Sequence, residues 1–389
     1  MLERLQQVRW QIQSRNELNR YSLHGKSPTR MSTGKAKLSL AMIVKNEARC
    51  LARCLRSVHS VVDEIIVVDT GSTDDTAKIA AGLGAKVFPF TWVNDFAMAR
   101  NFALAQATGD WILVLDADEH ASKALAEEMR QFIEGPQRIG RLKIVSDFRH
   151  HGQTLQSSTF VSRLFPRGAR FEGRIHEQII STLPRVNLRG ELWHDGYLEA
   201  KKTERNVALL QAELKREPHN AYLQFQLALE FTSLGRPQEA FACLQKARAA
   251  MQPTDPFAPN MMVDLIYAAM ELKNYDAGLE AIRAAEPWLA DFPDFHHACG
   301  LFYMRYIGSN PAKHINDMPK IEQSFRRSLA LGETDKYKSV HGSGSFLANY
   351  NLGVFYHALG EDARAKPCLE AAAHQHYAPA IALLKKLKA

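Results

Sequence analysis

A chain of 389 residues, 46% hydrophobic and 23% charged, has the length and composition for two folded domains with sizeable cores. It holds no run of about 18 apolar residues, and its basic start lacks an apolar h-region, so neither a membrane span nor a secretory signal is expected. Residues 1–37 contribute +6 of the +7 formal charge, from eight basic side chains and two acids. The excess describes a basic arm on a nearly neutral remainder, which argues against a nucleic-acid-binding domain.

Leu2, Leu5, Val8 and Ile12 recur at helical spacing and predict an amphipathic helix over residues 2–20, with a polar linker up to residue 37. Such a helix suits packing on its own protein, a dimer contact, or peripheral attachment to an anionic membrane face. From Leu38 the pattern changes to alternating strands and helices. Strands are predicted at residues 38–44, 64–69, 85–90 and 111–115, and helices at 51–58, 74–83, 96–107 and 121–132. That alternation predicts an α/β domain built on a mostly parallel sheet with helices on both faces. Cys50 and Cys54 lie in a predicted helix without a second ligand pair, and Cys243, Cys299 and Cys368 are scattered among apolar helix positions. All five read as reduced thiols of a cytoplasmic protein.

Two of the apolar strands end directly in acid: Asp69 after Glu64-Ile-Ile-Val-Val, and Asp116 and Asp118 after Trp111-Ile-Leu-Val-Leu. A buried parallel strand gives its carboxylates no structural reason to gather at that end, whereas ligands of open α/β sheets bind there. In an extended segment, Asp116 and Asp118 point to one side and can face one hard cation, a clamp suited to a diphosphate. Neither a Gly-x-Gly-x-x-Gly nor a P-loop follows the first strand, which disfavours a dinucleotide oxidoreductase and a P-loop NTPase.

Leu40-Ala-Met-Ile-Val-Lys-Asn-Glu-Ala48, Val67-Val-Asp-Thr-Gly-Ser-Thr-Asp74 and Leu115-Asp-Ala-Asp118 resemble the successive motifs of family 2 glycosyltransferases of the GT-A fold. The resemblance implies a nucleotide-diphospho-sugar donor, UDP-linked in this family's manner, and an inverting transfer. It places Lys45, Asn46, Glu47, Asp69 and Asp116 around the nucleotide, and Asp118 on a Mn²⁺ or Mg²⁺ ion. Asn94-Asp-Phe-Ala-Met-Ala-Arg-Asn101 resembles the segment beneath the donor, with Arg100 suited to phosphate. Glu119 has no derived role.

Residues 141–145 and 158–165 read as strands, with a turn at 149–153. Arg163-Leu-Phe-Pro-Arg-Gly-Ala-Arg-Phe-Glu-Gly-Arg-Ile-His-Glu177 resembles the acceptor-side segment of family 2 enzymes with a helical-repeat tail. Inversion needs a base for the attacking acceptor. Glu177 is the first choice and His176 orients it or acts instead, although His-Glu here replaces the Glu-Asp pair of many relatives. Resemblance also brings His194 to the metal, against a reading as a junction histidine packed on Trp193. A scaffold that had lost turnover would have no need of Asp69, Asp116 and Asp118 together.

From Lys201 strand signals vanish. Residues 220–247 and 349–365 resemble tetratricopeptide repeats, with a degenerate copy between them turning at Lys273-Asn-Tyr275. Tyr222, Phe225 and Phe231 read as repeat core, and the segments starting at His314 and Lys338 as surface loops. The expected layout is a basic arm (1–37), a transferase domain (38–200) and a helical-repeat solenoid (201–389). Similar repeat-tailed proteins include bacterial peptide S- and O-glycosyltransferases and lipopolysaccharide-core transferases. The acceptor is therefore a peptide or protein, or alternatively a glycolipid at the inner membrane surface.

Overall fold

The computed structural model describes residues 35–150, 153–194 and 200–387. The expected N-terminal helix, most of its linker, residues 151–152 of the turn and Gly196-Tyr197 lie outside the described residues.

The first half of the sheet follows the alternation. β1 (Leu38–Val44), α1 (Leu51–Val58), β2 (Glu64–Asp69), α2 (Thr76–Gly82), β3 (Lys86–Pro89), α3 (Phe96–Gln106) and β4 (Trp111–Val114) succeed one another, with β1 parallel to β2 and β4, and β2 parallel to β3. Leu40, Met42, Ile66, Leu113 and their neighbours are wholly buried, as expected of strands covered on both faces. Asp95 caps α3, its carboxylate accepting from Met98 N at 2.9 Å.

The second half of the sheet is mixed. It comprises β5 (Glu119–Ala121), then α4 (Lys123–Ile133), β6 (Ile139–His150), β7 (Gln153–Pro166), a separate pair β8 (Arg170–Glu172) and β9 (Gln178–Ile180), and β10 (Arg185–His194). The order is β3-β2-β1-β4-β7-β6-β10-β5, with β7 antiparallel to both β4 and β6. β6 and β7 run well beyond the expected 141–145 and 158–165, because the hydroxyl-rich Ser157-Ser158-Thr159 stretch interrupts the apolar alternation without interrupting the ladder.

The chain then becomes helical: α5 (Ala200–Leu214), α6 (Ala221–Ser233), α7 (Pro237–Ala250), α8 (Ala258–Glu271), α9 (Tyr275–Ala285), α10 (Pro293–Ser309), short α11 (Pro311–His314), α12 (Pro319–Leu331), α13 (Phe346–Ala358), α14 (Asp362–His374) and α15 (Ala378–Leu387). The turns after α6 and α13 close on Gly235 and Gly360 with φ of 67° and 75°, where a left-handed residue ends a helix cheaply. At the equivalent turn of the degenerate copy Lys273 takes φ 55° without that freedom.

Two expectations for this half need correction. The segment from Lys338 is not a surface loop. Ser339–Val340 forms β11, antiparallel to β7 with Ser339 opposite Ser158. Ser339 and Ser343 are buried, and Asp294 of α10 accepts from Ser339 Oγ at 2.5 Å and from Val340 N at 2.8 Å. A two-residue strand has no periodicity to read. Tyr222, unlike Phe225 and Phe231, is not simply repeat core, because its ring faces a cavity against the sheet.

Candidate active site

The cavity measures about 660 Å³ and opens where the C-terminal ends of β1 and β4 meet the first repeat helices. Of the residues singled out from sequence, Lys45, Glu47, Arg100, Asp116, Asp118, His176, Glu177 and His194 line it. Asn46 and Asp69 do not: both brace the turn beside it. Asp69 Oδ1 accepts from Gly71 N at 3.0 Å and Ser72 N at 2.8 Å, and Asn46 Oδ1 accepts from Thr73 N at 2.8 Å. Asn46 takes φ 57°, the left-handed conformation that asparagine tolerates, and this turns the chain off β1.

Asp116 stands at the centre of a buried charge cluster. Arg100 Nη2 donates to its Oδ1 at 2.8 Å and Arg163 Nη2 to its Oδ2 at 2.6 Å. Burial pulls the Asp116 carboxyl upward, but Arg163 and Arg100 outweigh it and hold the group far below the usual carboxylate range. Arg100 reaches on through Nε to Glu177, whose side chain is 10% exposed. Arg163 also donates to Glu119 Oε1 at 2.7 Å, while Glu119 Oε2 accepts from Asp116 N at 2.8 Å. Glu119 is thus a strut behind the motif, and burial raises its carboxyl against the pull of Arg163. Arg100 Nη1, Arg163 Nε and His176 Nε2 are buried in the cavity wall without a hydrogen-bond partner among the described residues. Orphaned polar atoms of this kind mark a surface completed by something else.

Asp118 lies clear of both arginines. Its Oδ2 is 3.4 Å from His194 Nε2, and Ser146 Oγ lies 3.2 Å from the other ring nitrogen. The hydrogen bond to Asp118 raises the His194 pKa against the effect of burial. Among the described residues no third His, Cys, Asp or Glu joins them in a complete cage. One oxygen and one nitrogen donor on a cavity wall are of the types that Mn²⁺ or Mg²⁺ accepts.

Glu177 and His176 come from the loop between β8 and β9. That loop is fixed by Arg174 O, which accepts from Phe96 N at 2.8 Å, and by Ile175, buried in the helical core. His176 takes φ 52°, and burial lowers its pKa. Asn101, next to Arg100, binds Phe171 through both amide atoms at 2.9 Å, which ties α3 to β8.

Sequence alone gives no role to Arg163, Trp92, Tyr222, Arg205 or Asn206, all of which line the cavity. Arg163 had a readable signal: a charged residue inside Phe160-Val-Ser-Arg-Leu-Phe165, an otherwise strand-like run. Tyr222, Arg205 and Asn206 sit on repeat helices, and no local pattern says which helix faces the sheet.

Residues 39–186 match the family described as Glycosyl transferase family 2. They form a domain of that family, and the helices after it build a tetratricopeptide-like region. The chain is 33% identical over 268 residues to a TPR repeat-containing protein of Synechococcus elongatus, covering 64% of this chain and 66% of the relative. It is 30% identical over 225 residues to the SPbeta prophage-derived glycosyltransferase SunS of Bacillus subtilis, covering 54% and 53%. Over 93 residues it is 48% identical to an uncharacterized glycosyltransferase of Rickettsia felis, covering 24% and 32%. The chain thus spans between about a third and two thirds of the length of these curated relatives.

Proposed function

We propose that the protein is a metal-dependent inverting glycosyltransferase that moves a sugar from a nucleotide diphosphate, UDP in the first instance, to a peptide or protein acceptor. The observation that carries this reading is the split of the Asp-x-Asp pair: Asp116 neutralised between Arg100 and Arg163, and Asp118 turned to His194 on the open wall. The first half of such a pair orients the donor, and the second is left free for a cation. Asp118 and His194 would hold Mn²⁺ or Mg²⁺, which when bound offsets negative charge on the departing diphosphate. Lys45, exposed at the end of β1, supplies a further positive charge toward the phosphates. Glu177 takes the proton from the acceptor as it attacks the anomeric carbon, and Arg100 holds that carboxylate in place. His176 offers a second polar contact through its orphaned Nε2.

Incubation with a panel of nucleotide sugars and Mn²⁺ should release nucleoside diphosphate from one donor above all. Release from none, even with cell extract as acceptor, overturns the reading. Asp118→Ala should abolish release and leave the melting temperature nearly unchanged. The charge of residues 1–37 favours a second acceptor class, a glycolipid on an anionic membrane. Binding of the chain to anionic vesicles, lost on deletion of residues 1–30, would support it.

A further inference from the structure

The cavity holds a third arginine, contributed by α5 of the helical half. Arg100 and Arg163 are each bound to two carboxylates. Arg205 has no carboxylate within ion-pair distance among the described residues. Its Nε and Nη2 donate to Asn206 Oδ1 at 3.3 and 3.0 Å, and its guanidinium carbon lies 5.0 Å from the centre of the Phe96 ring. Asn206 is held in that orientation from behind, its Nδ2 donating to Glu230 Oε1 at 2.8 Å. Phe96 is fixed in turn against Trp92, edge to face at 4.8 Å between centroids, and Trp92 Nε1 donates to Asn94 Oδ1 at 2.9 Å. The guanidinium is therefore half-buried, braced on one edge and one face, with charge left over on the side of the cavity. Next to it Tyr222 of α6 stands 6.3 Å from the His176 ring and accepts from Gln178 Nε2 at 3.5 Å.

A partly desolvated guanidinium that feels its nearest carboxylate, Glu230, only across Asn206 gains from a ligand that supplies charge at direct contact. The donor does not need it, since the diphosphate has Lys45 and the cation position at the ends of β1 and β4. Arg205 instead lines the same cavity as His176 and Glu177, with Tyr222 of the next repeat helix standing against the His176 ring. We propose that Arg205, Asn206 and Tyr222 form the acceptor subsite, and that Arg205 binds a carboxylate carried by a peptide acceptor within a residue or two of the side chain that receives the sugar. A single guanidinium matches the single charge of a carboxylate. A phosphate, with its charge of about −1.5 to −2, would leave excess negative charge in a cavity that already holds Glu177 and Asp118. The helical repeat thus contributes to acceptor choice inside the cavity as well as through its outer surface.

This assignment rests on the transferase reading, and one experiment separates the two. The full chain is given its donor, Mn²⁺ and a synthetic peptide library in which Ser, Thr or Cys is flanked by Asp or Glu, by Asn or Gln, or by Lys. Acid-flanked peptides should be labelled in preference to their amide-matched partners by about tenfold, the scale of one charge-assisted hydrogen bond. Arg205→Gln should abolish the preference, Arg205→Lys should retain it, and Arg205→Glu should turn it toward Lys-flanked peptides. The KM for the donor should not move in any of them. Nucleotide release with no charge preference, a preference indifferent to the Arg205 variants, or a changed donor KM overturns the proposal alone. Absence of nucleotide release from every donor removes the transferase reading and the proposal with it.

Discussion

On the strand side of the cavity the buried charges are matched: Arg100 and Arg163 embrace Asp116, and each continues to a second carboxylate. On the helix side, among the described residues, Arg205 directly contacts an amide oxygen and an aromatic face, with Glu230 acting from behind Asn206. The first arrangement is closed, and a ligand finds in it geometry already set, with little left to reorganise. The second is open and gains its balance from what binds. Under the proposed function, donor handling would fall to the closed wall and acceptor choice to the open one, so substitutions on the two sides should have different signatures.

The sharpest break in that contrast is stability. Arg163→Met strips buried Glu119 of its cation, while partly exposed Asp116 keeps Arg100, and should cost about 3 kcal/mol, read as a lowered denaturation midpoint. Arg205→Met, on the open side, should cost less than about 1 kcal/mol. Equal losses would mean that Arg205 has a structural partner after all. Glu177→Gln should lower kcat by about 10²- to 10⁴-fold without changing the donor KM. A loss confined to KM would place Glu177 in binding and not in proton transfer.

A smaller effect tests the seam between the walls. Burial raises the Asp294 carboxyl to about 7, against hydrogen bonds from Ser339 and Val340 that favour the anion. The folded chain therefore keeps that proton between roughly pH 4 and 7, where the unfolded chain has lost it. The stability this proton contributes is complete below about pH 4 and is lost as pH rises toward 7. Melting temperature against pH should be flatter in that window for Asp294→Asn, with about 1–3 kcal/mol separating the two trends. Smallest of all, Tyr222→Phe removes a long 3.5 Å hydrogen bond and should raise the acceptor KM about two-fold while leaving kcat unchanged.

Much of the strand side was legible from residues alone. Apolar runs ending in acid marked β2 and β4, and their spacing put Asp116 and Asp118 at the mouth of the sheet. What was not legible is pairing across distance. Arg163 lies 47 residues from Asp116, and only the antiparallel insertion of β7 beside β4 brings them together. The same holds for Arg100, which suggested a phosphate ligand but is tied to Asp116 and Glu177, leaving Nη1 as its free atom. On the helix side the repeat pattern identifies helices but not their orientation toward the sheet, so the residues alone place Tyr222 in the core and give Arg205 no role. β11 was invisible for a simpler reason: two residues carry no period.

That short strand has a consequence for how the molecule behaves as a material. Ser339 and Val340 extend the sheet by hydrogen bonding to β7, Lys143 Nζ meets Asp335 Oδ1 at 2.9 Å, and Asn260 Nδ2 donates to Lys338 O at 2.7 Å. The solenoid is stitched into the transferase sheet late in the chain, more than a hundred residues after α5 leaves it. Heat should therefore melt both halves in one calorimetric transition. A chain cut before residue 338 would expose the edge of β7 and tend to self-associate through it. Exchange of repeat domains among such enzymes would then require the stitch to travel with the repeats.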